Sequence, residues 1–118
     1  MEKAEAVASL AALAQDNRLD VFRLLVQAGP EGMAAGAVSA ALRLAPNTLT
    51  FHLDRLREAG LVSVERQGRS MIYTAQFGTM NALRGYLTEN CCNGAPELCA
   101  PAACVPTAAG KRRKETAS

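Results

Sequence analysis

Between Ala45 and Tyr73 the apolar residues change their spacing, and few folds accommodate the change. In APNTLTFHLDRLREAGL, Leu49, Leu53 and Leu56 return every three or four residues, as on one buried helix face. Pro46 suits the first helical turn, where its missing N–H costs nothing, and Gly60 supplies a left-handed stop. The period then drops to two. Val62 and Val64 alternate with Ser63 and Glu65, a turn follows at Gln67-Gly68-Arg69, and Ile72 and Tyr73 continue a second strand. That alternation predicts a β-hairpin.

Upstream, Val7, Leu10, Ala11 and Ala14 recur at helical spacing and predict a first helix over about residues 4–14. Asp16 or Asn17 can cap a second, NRLDVFRLLVQA, with Leu19, Phe22, Leu25 and Val26 as its apolar stripe and Gly29-Pro30 as its end. A short third helix covers about residues 35–42, with Val38, Ala41 and Leu42 inward. After the hairpin, a last helix over about residues 77–90 carries Met80, Leu83 and Leu87, with Tyr86 beside them. Aromatics are scarce (three Phe, two Tyr, no Trp), which also favours helices over a β-sandwich. The expected fold is mainly α with a small β-hairpin, in winged helix-turn-helix order. Helix three is the support, helix four the reader and the hairpin the wing.

At 118 residues this is one domain's worth of chain, and folded alone it buries only roughly two-thirds of its unfolded surface. Self-association is the simplest way to cover the remainder. Composition divides the chain into a folded part, 1–90, a cysteine-containing segment, 91–104, and a basic tail, 105–118. The tail is rich in Ala and charge and is expected to be disordered.

No stretch reaches the ~20 apolar residues of a membrane span. VASLAALA (Val7–Ala14) is short and follows Glu2 and Glu5, whereas a secretory signal begins with positive charge. The expected compartment is therefore the cytoplasm. In that reducing setting, cysteines point to ligation or redox chemistry rather than disulfide staples.

Net charge is only +2, but its distribution is uneven. From Arg43 to Arg69 there are five arginines and His52 against Asp54, Glu58 and Glu65, and Lys111–Lys114 reads KRRK. On the fourth helix, Asn47, Thr48, Thr50, Phe51, His52 and Arg55 fall away from the leucine face. Short polar side chains near a helix N-terminus reach base edges in a major groove, and the N-terminus itself favours phosphate. Arg55, Arg66 and Arg69 suit phosphates, and Arg69 at the hairpin tip also suits a narrow minor groove. A merely solvated helix face is the alternative; the helix-turn-helix spacing and the basic hairpin tip weigh against it. His52 by itself says little, since it can equally cap or pack, and as the only histidine it cannot build an imidazole-rich metal site.

ALAQDNRLDVFRLL (Ala12–Leu25), LTFHLDRLREAGLV (Leu49–Val62) and ERQGRSMIY (Glu65–Tyr73) resemble the ArsR/SmtB family of bacterial metal-responsive repressors, over about residues 5–90. The resemblance implies a homodimer paired through the first and last helices. Each subunit would offer one winged helix to half of a palindromic operator in double-stranded DNA, and inducer binding would release it. Two departures stand out. Many family members carry Cys in an E-L-C-V-C-D-L motif on the third helix, where this chain has GMAAGAVSAAL (Gly32–Leu42). Others sense zinc through His on the last helix, and TMNALRGYLTEN has none. In the reader helix, Ala45-Pro46 replaces the Ser-Gln of many members, so no base contact is carried over to these two, and Phe51 replaces a polar residue, where a ring can either touch a thymine methyl or pack.

All four cysteines (Cys91, Cys92, Cys99 and Cys104) instead follow the last helix. Thiolates select soft ions, and three of them suit the pyramidal preference of arsenic(III) or antimony(III). Some arsenic-responsive members of the family look like this, with a vicinal pair at the end of the last helix and a third Cys nearby. The expected ligands are Cys91, Cys92 and Cys99, with Cys104 auxiliary or idle, and no cofactor is expected for DNA binding itself. Other uses of the same thiols remain open. They are a four-cysteine site for zinc, cadmium or lead, a two-coordinate organic arsenical on Cys91 and Cys92, a disulfide switch, and a tail with incidental thiols. A thiol reductase is disfavoured because the vicinal pair follows a helix C-terminus, whose dipole opposes thiolate formation.

Overall fold

The change of period at Gly60 is a change of element. In a computed structural model, which describes residues 1–90, helix α4 (Pro46–Glu58) ends in a Schellman motif. The Gly60 N–H donates to the Arg57 carbonyl (2.9 Å) and the Leu61 N–H to the Leu56 carbonyl (3.0 Å). Gly60 sits at φ +78°, where a Cβ would be strained, and Leu56 and Leu61 are both fully buried beside the cap. The chain leaves this corner as β2 (Val62–Gln67), turns at Gly68-Arg69 and returns as β3 (Ser70–Ala75). Val62 faces Ala75 and Gln67 faces Ser70 in an antiparallel register.

Before α4 come α1 (Lys3–Leu13), α2 (Asp16–Ala28), a single 3₁₀ turn (Gly29–Glu31), the two-residue strand β1 (Met33–Ala34) and α3 (Ala35–Leu42). After β3 comes α5 (Phe77–Leu87). β1 pairs with β3, Met33 against Tyr73 and Ala34 against Ile72. The expected hairpin is thus a three-stranded sheet in the order β1-β3-β2. The mainly helical winged helix-turn-helix expectation holds for these residues.

The core is built from α2, α3, α4 and the inner ends of the sheet. Val21, Phe22, Leu25, Val38, Leu49, Leu53, Leu56, Leu61, Val62, Tyr73 and Ala75 form one buried cluster. Each fully buried leucine contributes about 1.5–3 kcal/mol relative to an exposed one, which fixes α4 by its leucine face and frees the other. Residues Met1–Leu87 make one compact unit.

Several local expectations are corrected. The N-cap of α2 is Gln15, whose side chain accepts from the Arg18 N–H (2.9 Å), while Asp16 is already helical. Leu19 is exposed, and Val21 takes the buried position in that helix. In α3, Val38 is buried but Ala41 is exposed. The largest change concerns α1, whose covered residues are the small Ala6, Ser9 and Ala12, while Val7 (59% exposed) and Leu10 (43%) face outward. In α5, Leu83 is buried and Leu87 is exposed. Small residues let α1 lie close against the domain, so its larger apolar side chains fall on the far side.

Candidate nucleic-acid interface

The helix-turn-helix is α3, the turn Arg43-Leu44-Ala45, and α4. Arg43 ends α3 in the left-handed region (φ 57°, ψ 42°), which swings the chain into the next helix. Ser39 closes the turn twice: its carbonyl accepts the Leu44 N–H (3.1 Å), and its hydroxyl donates to the Leu44 carbonyl. Sequence reasoning passed over Ser39; the available signal was a hydroxyl four residues ahead of the turn.

At the start of α4, Ala45 offers no side-chain cap and Pro46 has no N–H. The first-turn N–H groups carry partial positive charge and meet no capping side chain, the arrangement that receives phosphate oxygens. Asn47 and Thr48 are exposed here, and Thr50, Phe51 and Arg55 follow on the outer surface. The Thr50 hydroxyl donates to the Pro46 carbonyl (2.9 Å), so its oxygen lone pairs remain as acceptors for a base amino group. Phe51 is half exposed, and the Arg55 guanidinium lies 5.0 Å from its ring centroid. Arg55 also pairs with Glu58 (3.0 Å), and one turn apart Arg57 pairs with Asp54 (3.2 Å).

His52 does not share this face. It is 5% exposed, packed with Leu49, Leu53 and Leu56 on the inner side of α4, and its Nδ1 is buried without a hydrogen-bond partner among the described residues. Its expected place among the outward DNA-facing side chains is corrected accordingly. Burial, and secondarily the Arg18 guanidinium, hold its pKa below the ordinary 6.5. Arg18 is itself tied to the end of α1, its Nε donating to the Ala12 carbonyl (2.6 Å).

The wing carries two exposed arginines. Arg66 Nε donates to the Gly68 carbonyl (3.1 Å), which braces the tip, and Arg69 is exposed within the turn. Arg43 adds a third exposed cation, in the turn ahead of α4. Asn47, Thr48, Thr50, Phe51 and Arg55 on α4 and Arg66 and Arg69 on the wing are thus exposed, as the sequence predicts. Cys91, Cys92, Cys99 and Cys104 lie outside the described residues, as do the segments 91–104 and 105–118. Among the described residues no three His, Cys, Asp or Glu side chains gather as a metal site, and no helix is long and apolar enough to cross a membrane.

Known proteins share this architecture. Residues 13–65 match the model of a helix-turn-helix domain family. The chain is 32% identical over 85 residues to the transcriptional activator HlyU of Vibrio cholerae, covering 70% of this chain and 76% of that protein. The structure of reduced HlyU superposes with a TM-score of 0.59 at 28% identity, over 75% of this chain and 90% of the other. An ArsR-like transcriptional regulator from Rhodococcus sp. RHA1 superposes with a TM-score of 0.67 at 25% identity, over 82% and 89% of the two chains. The homodimeric winged helix-turn-helix DNA-binding domain Mb0332 from Mycobacterium bovis shares the fold, with a TM-score of 0.60 at 22% identity over 72% and 83%.

Proposed function

This chain belongs to the ArsR/SmtB family of winged helix-turn-helix DNA-binding transcriptional regulators, and from that premise we propose that it is a homodimeric repressor released from a palindromic operator by arsenite or antimonite. The observation that carries the choice of inducer is the placement of the thiols. Residues 1–90 contain no cysteine, and all four stand at 91–104, beginning four positions after α5 ends at Leu87. Cys91, Cys92 and Cys99 supply three thiolates, the donor set a soft three-coordinate ion takes. Cys104 is auxiliary. Thiol deprotonation accompanies such binding.

The dimer is supported by the apolar residues that the protomer leaves uncovered, Val7 and Leu10 on α1 and Leu87 on α5. A second copy presenting the same surface covers them symmetrically. Two reader helices then meet successive major grooves about 34 Å apart, with the Arg69 turns of the wings beside them. An ion held by the thiols that follow α5 in sequence acts on the helix that sets this spacing. A hundredfold loss of operator affinity needs a coupling of about 2.7 kcal/mol between inducer and DNA.

The test is a titration of arsenite, antimonite, zinc and cadmium into the protein–operator complex, following DNA release and free thiols together. Arsenite and antimonite are expected to release the DNA with loss of three thiols per subunit. Cys91→Ser, Cys92→Ser and Cys99→Ser should each keep operator binding and lose release, while Cys104→Ser responds normally. A Cys99→Ser protein that is induced normally removes the three-thiolate assignment.

A second reading uses the same cysteines as a disulfide switch. It is favoured by the similarity to HlyU, which is known in a form designated reduced. A strained vicinal pair makes Cys92–Cys99 the better disulfide. Release by peroxide but not by arsenite would select this reading.

A further inference from the structure

The outer face of α4 carries an aromatic ring where water would be expected, and the ring is held in place. Phe51 is 50% exposed. On one side the Arg55 guanidinium stands 5.0 Å from its centroid. The buried His52 ring meets it in a T-shaped contact at 5.7 Å, with 63° between the planes. Glu58 holds Arg55 in turn. Cation–π and edge-to-face contacts of this kind fix a ring that has no place in the core. The result is an apolar surface flanked by two side chains, one helical turn beyond Asn47, on the side of α4 opposite its leucines.

We propose that the Phe51–Arg55 pair reads a thymine in each half-site. The reading rests on α4 being the helix that enters the major groove. The apolar group a major groove displays is the C5-methyl of thymine, and an aliphatic or aromatic side chain is its complement. A ring already in contact with Arg55 and His52 has less freedom left to lose on meeting that methyl. Water is displaced from both surfaces, and a cytosine at the same position presents a polar edge with no methyl. Arg55, drawn across the ring, keeps N–H groups for the adjacent backbone phosphate, so one pair supplies a base contact and a positioning contact.

The experiment begins with the reduced 118-residue chain, free of metalloid, selecting duplexes from a random pool. Each thymine of the selected site is then replaced singly by deoxyuridine, which removes only the methyl. One thymine per half-site should weaken wild-type binding about fourfold when replaced, the factor for one buried methyl at about 0.8 kcal/mol. Replacement in both half-sites should give about sixteenfold. Phe51→Ala should bind more weakly and lose this penalty at that position alone. Phe51→Leu, still apolar, should keep most of it. Wild-type protein indifferent to every deoxyuridine, or Phe51→Ala with an unchanged penalty, overturns the thymine assignment and leaves operator binding standing. Failure to enrich any duplex overturns the groove-entering role of α4 as well.

Discussion

Ser39 and Leu44 fasten the turn of the helix-turn-helix to the end of α3, the Ser39 hydroxyl donating to the Leu44 carbonyl while the Leu44 N–H returns to the Ser39 carbonyl. The turn that leads into the reader helix is therefore held by a side chain of the support helix. Ser39→Ala leaves the Leu44 carbonyl without that donor in a half-buried turn. The expected cost is about 1 kcal/mol, or about 4–8 °C in Tm for a domain of this size. Operator affinity should fall further than stability alone explains. Thermal unfolding and a binding titration on the same sample check both.

Gly32 and Gly29 provide an internally controlled pair. Both occupy a backbone region nearly closed to L side chains (φ 70°, ψ −167° and φ 77°, ψ −162°), at a cost of about 1–3 kcal/mol for alanine. A Cβ on Gly29 meets open space, whereas one on Gly32 falls 2.5 Å from the Tyr73 carbonyl oxygen and 2.6 Å from Thr74 Oγ1. Gly32→Ala should therefore be the more destabilising, by about 1–2 kcal/mol, because it pushes against β3 itself. Urea unfolding of the two variants measures the difference.

His52 makes stability depend on pH. Its folded-state pKa lies below the ordinary 6.5, mainly through burial and then through Arg18. The unfolded chain therefore takes up a proton before the folded one does. Its contribution is fully present above pH 6.5 and is lost as pH falls from there toward the folded value. Tm should drop between pH 7 and pH 5, and His52→Gln should flatten that drop. No other histidine is present to produce it. An unchanged profile in the variant would place the effect elsewhere.

Arg69 stands in the turn of the wing, and a dimer carries two. Each phosphate contact contributes about 0.9 to the slope of log affinity against log salt. Arg69→Ala should make that slope shallower by about two units per dimer and weaken all duplexes alike. A sequence-selective loss would instead indicate a minor-groove role for this side chain.

Val7 is more exposed than any other large apolar residue on α1. Val7→Glu should leave the protomer folded, because no core contact is removed, and should halve the mass in analytical ultracentrifugation. Operator affinity should fall about a hundredfold or more, since one half-site no longer assists the other.

The two helices flanking the winged domain show where a one-dimensional pattern stops. On α1 two stripes have helical spacing, one of Val7, Leu10 and Ala14, the other of Ala6, Ser9 and Ala12. Hydrophobicity selects the first, and packing against the domain selects the second, because small side chains permit close approach. On α4 the spacing was the better guide and residue type misled. His52 stands three after Leu49 and four before Leu56, squarely on the buried arc, and Phe51 stands on the outer arc with Asn47. Grouping His52 with the outward side chains misplaced it, and packing, the other role open to it, is the one it has. Gln15 took the cap expected of Asp16 or Asn17 because its longer side chain reaches the Arg18 N–H.

What the amino-acid order determined by itself is local: helices from a period near 3.6, strands from a period of two, and their limits from Pro46, Gly60 and the Gly68-Arg69 turn. These follow from backbone geometry and need no distant partner. The same order put every thiol beyond Asn90 and five arginines between Arg43 and Arg69. Only the tertiary structure decided which face of α1 is covered, that β1 joins the sheet, that Ser39 closes the turn ahead of the reader, and that Arg55 and His52 flank the outward ring of Phe51. Those depend on which surfaces meet, and burial belongs to a pair of surfaces rather than to a residue.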